Sequence, residues 1–188
     1  MRQNRARRAA LLDAAIDVLA REGARGLPFC AVDAQAEVPG GTASNYFANR
    51  DDLLTQAGGR IYERLQPDEE TVARHLEGAQ DREKFAAVMR ETVRQVAGFR
   101  TGYLALLELR LEATRRPELR ALLTRSVRAD VDANVAGHRA SGLPGDATSV
   151  RLLHMVLNWL IVERLTLPEV YSEQEADDLV ARAVERLV

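Results

Sequence analysis

Apolar positions recur along most of this chain at three- and four-residue spacing and not at every second residue, which predicts helices and no strands. Leu12, Ile16 and Leu19, with Ala15 between them, form one stripe, and Gly23 supplies the left-handed residue at which a helix stops, so a first helix is expected over about 8–22. Gly26, Leu27 and Pro28 break the chain, and Pro28 suits the first position of a short second helix over about 29–36. Residues 37–41, Glu-Val-Pro-Gly-Gly, read as a turn, and 42–47 as a third, very short helix. Asn49 is placed as the N-cap of a fourth, with Asp52 three residues on in a capping-box arrangement; that helix continues through Leu53, Leu54, Ile61 and Leu65 until Pro67. Beyond it the pattern predicts a short helix around 69–77, then helices over 81–97, 100–114, 117–138, 146–167 and 172–188, with a loop at 141–145 and a break at Pro168. The fold class is all-α.

Composition narrows the function. The chain has 188 residues, 26 Lys and Arg against 28 Asp and Glu, and a net charge of −2. At this size folding removes roughly 70% of the unfolded surface from water, so disulfides and structural metals are not needed. Cys30 is the only cysteine and can build neither an internal disulfide nor a thiolate zinc cluster. A basic start followed by an apolar run resembles a secretory signal, but Asp13 and Asp17 break the run. The longest apolar stretch, 152–162, is interrupted by His154 and Asn158 and falls well short of the roughly 20 residues that span a bilayer. A cytoplasmic location is expected, with no membrane partner.

Enzyme chemistry finds little support. A di-iron bundle needs Glu-x-x-His pairs, and the residues three before His75, His138 and His154 are Val72, Val135 and Arg151. Three histidines and one cysteine scattered over different helices supply neither a metal site nor a Cys/His nucleophile, and there is no phosphate loop or dinucleotide fingerprint. No catalytic residue, metal or cofactor is expected.

The informative segment is 29–47: a short helix, a four- or five-residue turn and a second short helix rich in small and polar residues, the arrangement that places a helix end in a DNA major groove. With the preceding helix, the segment from Arg8 to about Leu54 carries the run A-x-x-x-L-A-x-x-G-x-x-G, then V-x-A-x-A-x-V-x-x-G-T-x-x-N-Y-F-x-x-R-x-x-L-L. On these residues the chain resembles the TetR family of transcriptional repressors. The resemblance implies an N-terminal three-helix DNA-binding domain over 1–49, a fourth helix from about 50 as the link, and a helical effector-binding and dimerisation domain over 67–188. It implies phosphate contacts from Thr42 and Tyr46 and a basic residue, Arg50, at the start of the fourth helix, where exposed backbone N–H groups help to hold an anion. It puts Gly41, Ser44 and Asn45 on the groove, where Asn45 can pair bidentately with adenine. Several positions depart from the family pattern: Glu37 stands for the turn glycine, Pro39 for a Ser or Thr cap, Ser44 for a tyrosine, and Phe29-Cys30 for a polar pair. Glu37 implies either a torsion that does not require glycine or local strain. The small side chains leave base readout to few groups and more of it to DNA shape. Arg2, Arg5, Arg7 and Arg8, with no acidic residue among them, are either a solvated terminus or an arm that reaches phosphates or the minor groove, for which Arg5 and Arg8 are the candidates.

The helix at 146–167 is apolar nearly all round and has to be covered on more than one side. The family resemblance implies that the last two helices pair across a two-fold axis, giving a homodimer and a palindromic operator. His154 and Asn158, four apart, share a face of that helix; with Trp159 and with Phe85, Met89, Phe99, Tyr103 and Leu107 they are the candidate wall of an apolar effector pocket, and equally an ordinary core. Glu108 and Glu112, like charges four apart, call for Arg115 and Arg116 as neighbours on a salt-bridged surface. Gly58 and Gly59 are either a flex point in the linking helix or tolerated glycines. The expected function is a ligand-responsive regulator, a repressor that binds its operator as a dimer and is released by a small molecule. The alternative is a helical ligand- or protein-binding dimer without sequence-specific DNA recognition.

Overall fold

A computed structural model describes residues 2–66 and 81–188. Every regular element among them is helical. In chain order these are α1 (Arg2–Glu22), α2 (Phe29–Gln35), α3 (Arg50–Leu65), α4 (Arg82–Gly98), α5 (Arg100–Ala113), α6 (Pro117–Ser141), α7 (Ala147–Thr166) and α8 (Glu173–Leu187), with 3-10 turns at Ala24–Gly26 and Ala43–Asn45. The short helix expected around 69–77 lies outside the described residues.

The ends of the elements follow local chemistry. Gly23 stops α1 at φ 71°, its N–H bonded to the Leu19 carbonyl. Asn49 caps α3 by accepting the Asp52 N–H at 2.9 Å, and the Asp52 carboxylate returns to the Ala48 N–H, one residue before the position a capping box would use. Asp81 and Asp146 cap α4 and α7, and Ser172 with Glu175 forms a full capping box on α8. In both Asp146 and Glu175, acceptance of these N–H bonds holds the carboxyl below its ordinary range.

Two expectations are corrected. The first helix begins at Arg2 and not near Arg8, because arginine, alanine and glutamine propagate a helix without contributing to the apolar stripe that marks its start. The segment 42–47 holds a 3-10 turn, Ala43–Asn45, and not an α-helix. There the hydroxyls of Thr42 and Ser44 and the Asn45 amide donate to the carbonyls of Pro39 and Gly41, competing with the helical ladder, and the segment is too short to propagate one.

The residues divide by packing into two compact units, one from the stretches Met1–Gln66 and Arg100–Ser126, the other from Pro67–Phe99 and Val127–Val188. In the first unit, α1 packs on α2, α3 and α5. Its core is Leu11, Ile16 and Leu19 of α1, Val32 of α2, Phe47, Leu53, Leu54 and Ile61, Leu109 of α5, and Leu119 at the start of α6, all fully buried. Each such side chain contributes about 1.5–3 kcal/mol. Gly58 is packed: a Cβ there would meet methyl groups of Leu119, Leu122 and Leu123, each at 3.4 Å. In the second unit α4, α7 and α8 pack on one another around Ala86, Val93, Leu153, Leu157, Leu160, Ile161, Val180 and Val184.

Candidate nucleic-acid interface

The turn from α2 into the 3-10 segment is held by backbone chemistry that the sequence partly hides. α2 ends in a Schellman motif: Val38 N–H bonds to the Asp33 carbonyl at 3.0 Å and Glu37 N–H to the Ala34 carbonyl at 3.2 Å. The residue this motif places in the left-handed region is Glu37, at φ 52°, so the strained alternative for that position is the observed one. Pro39, Gly40 and Gly41 follow, all exposed, with Gly41 at φ 86°. Ala43 and Phe47, four apart, are buried and anchor the turn to the core.

Ser44 and Asn45 are exposed, and Thr42 and Tyr46 half-buried beside them. Asn45 donates one amide proton to the Gly41 carbonyl at 3.1 Å. Its carbonyl oxygen and its other amide proton are the two groups that bidentate pairing with adenine uses. Ser44 also donates to the Gly41 carbonyl, at 2.8 Å, which leaves its oxygen as an acceptor. Thus Gly41, Thr42, Ser44, Asn45 and Tyr46 lie on one short turn.

Arg50 and Arg8 are placed differently from the expectation. Arg50 donates to the Ala24 carbonyl, and its Nε is buried without a partner. Meeting a phosphate would require the guanidinium to leave that carbonyl. Arg8 is half-buried on α1, its guanidinium 5.5 Å from the centre of the Phe47 ring and its Nε bonded to Gln56 at 2.8 Å. Gln56 in turn bonds to Asp52 at 2.7 Å, so Arg8 ties α1 to the start of α3. Arg5 and Arg7 are exposed on a helix, which replaces the picture of a loose arm.

Sequence reasoning missed Asp33. Its side chain is 2% exposed, and its two oxygens accept the N–H groups of Gly41 and Ala43, each at 2.7 Å. An acidic residue inside a short helix carries no periodic signal. The usable clue was Pro39, which removes a side-chain cap from a turn that still has N–H groups to satisfy.

The acidic pair on α5 is likewise engaged. Glu108 accepts the Ala24 N–H at 3.1 Å, so residue 24 is held by its N–H from α5 and by its carbonyl from α3. Glu112 is paired with Arg115 and Arg116 as expected, but it is buried and not on a surface; Arg116 also reaches Asp51 at 2.8 Å, at the first turn of α3.

The candidate pocket residues fall in both units. Phe85, Met89 and Phe99, with His154, Asn158 and Trp159, belong to the second, while Tyr103 and Leu107 belong to the first. Tyr103 is buried, and burial pushes its hydroxyl pKa up. His154 and Asn158 meet as their spacing requires, with the Asn158 amide 3.1 Å from the ring Nε2 and donating to the His154 carbonyl at 2.8 Å; Asn134 lies 3.4 Å from Nδ1. Phe85 packs instead against His138, ring centres 6.2 Å apart. Trp159 stands 65% exposed, in a strip with Leu152, Met155 and Val156 at i, i+3, i+4 and i+7. It faces solvent and does not line a pocket wall in this chain.

A short helix, a tight turn and a 3-10 segment with exposed polar side chains, among described residues that are helical in every regular element, are the arrangement of a class of nucleic-acid-binding regulator. Residues 80–188 match the family model described as tetracyclin repressor-like, C-terminal domain. The chain belongs to the TetR family of transcriptional regulators. It is similar to a solved TetR-family member from Streptomyces coelicolor A3, at 31% identity over 94% of this chain and 97% of that one, with a TM-score of 0.68. It is also similar to the multidrug binding protein EbrR, solved with ethidium, at 30% identity over 94% and 98% of the two chains and a TM-score of 0.68. A TetR-family regulator from Mesorhizobium loti shares the fold, with a TM-score of 0.80 over 98% and 96% at 13% identity. No curated protein matches the chain. No helix among the described residues is long and apolar enough to cross a membrane.

Proposed function

We propose that this transcriptional regulator is a repressor that binds a palindromic operator as a homodimer and is released by a largely apolar small molecule. The observation that carries the reading is the exposed turn bearing Gly41, Ser44 and Asn45, fastened from beneath by Asp33, in a chain of this family. Thr42 and Tyr46 are the phosphate contacts, Ser44 and Asn45 the base-reading groups, and Arg5 a cation on the exposed start of α1. Arg8 and Arg50 act by holding the head together. Residues 1–49 form the DNA-binding part and 67–188 the effector and dimer part, α7 supplying the strip Leu152, Met155, Val156 and Trp159 and α8 supplying Leu179. An exposed apolar strip of this kind fits a second copy of the same helix across a two-fold axis.

The route of the signal follows from α5. Because Glu108 holds residue 24 and Arg116 joins Glu112 to Asp51, a displacement of α5 reaches both the loop after α1 and the first turn of α3. An effector that prefers the displaced state by about 2–3 kcal/mol lowers operator affinity roughly 30- to 150-fold. Phe85, Met89, Phe99, His154 and Asn158 of the second unit are the residues proposed to meet it. The relative EbrR, solved with ethidium, supports an aromatic effector.

The test is selection of duplexes from a random-sequence library on the purified protein, followed by titration of the winner at two salt concentrations. A palindromic consensus, with affinity that Asn45→Ala lowers at least tenfold, bears the reading out. Enrichment of no sequence, or binding indifferent to Asn45, leaves the helical ligand-binding dimer as the function.

A further inference from the structure

We infer that Asp33 is a positioning residue for DNA recognition: it stands in for the cap that Pro39 cannot provide and sets the orientation of Ser44 and Asn45 through Gly41. This rests on the DNA-binding reading above.

A carboxylate 2% exposed is costly unless it is paired or fully hydrogen-bonded. Among the described residues Asp33 makes no ion pair, and its side-chain oxygens are satisfied by the N–H groups of Gly41 and Ala43. For folding alone, an apolar residue in α2 would avoid the burial of charge. The carboxylate therefore makes sense as a device for the turn. Its two bonds fix the peptide groups before Gly41 and before Ala43, and the Gly41 carbonyl in turn accepts from both Ser44 Oγ and Asn45 Nδ2. One buried group thus sets a backbone unit from which both exposed base-reading side chains take their direction. The start of the 3-10 turn offers no alternative, since Thr42 makes no side-chain capping bond and Pro39 has no side-chain acceptor. Charge-assisted bonds to backbone N–H are the strong kind, short as observed.

The experiment compares wild type, Asp33→Ala, Asp33→Asn, Pro39→Ser and the Asp33→Ala/Pro39→Ser double variant, each titrated against the library-selected duplex and against a scrambled one. Helical content is measured on every sample, and amide exchange at Gly41 and Ala43 is followed without DNA. We expect Asp33→Ala to lose at least 30-fold in affinity for the selected duplex but little for the scrambled one, at unchanged helical content. Asp33→Asn, which keeps one good acceptor, falls between. The serine hydroxyl restores at least fivefold in the double variant by capping the Gly41 N–H locally, a rescue that general destabilisation would not show. Exchange at Gly41 and Ala43 is slow in wild type and fast in Asp33→Ala.

Binding of Asp33→Ala within threefold of wild type, or a loss that Pro39→Ser does not rescue, overturns the inference. If Asp33→Ala does not fold, Asp33→Asn and the double variant decide by the same criteria. Slow exchange at both amides in Asp33→Ala overturns it independently of DNA. Should wild type itself select no duplex, the regulator reading fails, whereas the exchange measurement still reports on the Asp33 bonds.

Discussion

The two packing units treat their buried polar groups differently. In the unit holding the turn, the buried Asp33 and Glu112 are each met by specific donors, and so are two half-buried carboxylates: Glu108 accepts the Ala24 N–H, and Asp13 accepts from Arg60 at 3.0 and 3.1 Å and from Arg64 at 3.2 Å. Only the Arg50 Nε is left over among that unit's described residues. In the other unit, His138 is buried with neither ring nitrogen bonded, Arg90 has a buried and unbonded Nε, and α7 presents Leu152, Met155, Val156 and Trp159 to solvent. A buried polar group without a partner is costly, and an apolar strip is normally covered. The described residues of the first unit leave the Arg50 Nε unbonded and Leu111 exposed, whereas those of the second leave His138 and the Arg90 Nε unbonded and expose the whole strip of α7.

The comparison is broken most forcefully at the strip. Trp159→Asp is expected to weaken the proposed dimer at least about 100-fold, since a central interface aromatic contributes about 2 kcal/mol and a two-fold axis would present it twice. Sedimentation at micromolar concentration reads this as a shift toward monomer, while unchanged helical content argues against general unfolding. The internal network of the first unit is next: Glu112→Ala leaves Arg115 and Arg116 without their shared carboxylate and costs about 2 kcal/mol in urea unfolding. That is less than the loss of a fully buried pair because Arg115 is largely exposed.

Adjacent glycines of α3 sharpen the same point at smaller scale. Gly58→Val should destabilise by about 1–3 kcal/mol by pressing on three leucines. Gly59→Ala, where an added Cβ meets one Leu122 methyl at 3.8 Å, should stabilise by about 0.5–1 kcal/mol through helix propensity. Equal effects would mean that the linking helix is not packed as described.

The smallest effect is on pH. Asp146 and Glu175 have folded-state pKa values lowered from the ordinary 3.8 and 4.5, so both favour the folded state above those values and lose that contribution as pH falls through the lowered ones. Acid titration of thermal stability should show the second unit weakening below about pH 4, and Glu175→Gln should flatten that slope.

Much of this was legible where the signal is local. Gly23, Asn49 and Pro168 punctuate the chain through backbone chemistry that acts within a few residues, and the stripes of α1, α3 and α7 follow from helical periodicity. What was not legible depends on distant partners. The arginines before the first stripe could not announce that they are helical, because their pattern carries no apolar face. Arg50 turns inward because a carbonyl 26 residues away, at Ala24, accepts its proton. Glu112 pairs with Arg115 and Arg116 as its spacing suggests, but its burial, and the bond from Arg116 to Asp51 65 residues away, carry no mark in the local pattern. His154 and Asn158 met as their spacing required, whereas Trp159, one residue further on, lies on the exposed side of the same helix. One residue is about 100° of rotation on a helix, enough to change which neighbour a side chain serves.

The most direct test of a dimeric DNA-binding regulator is the stoichiometry of its complex with the library-selected duplex, measured by sedimentation for wild type and for Trp159→Asp. The account predicts two wild-type chains, or a multiple of two, on a palindromic site, and loss of that complex in the variant at concentrations where wild type is saturated. A single chain bound with undiminished affinity in both proteins, or no complex with either, would contradict it.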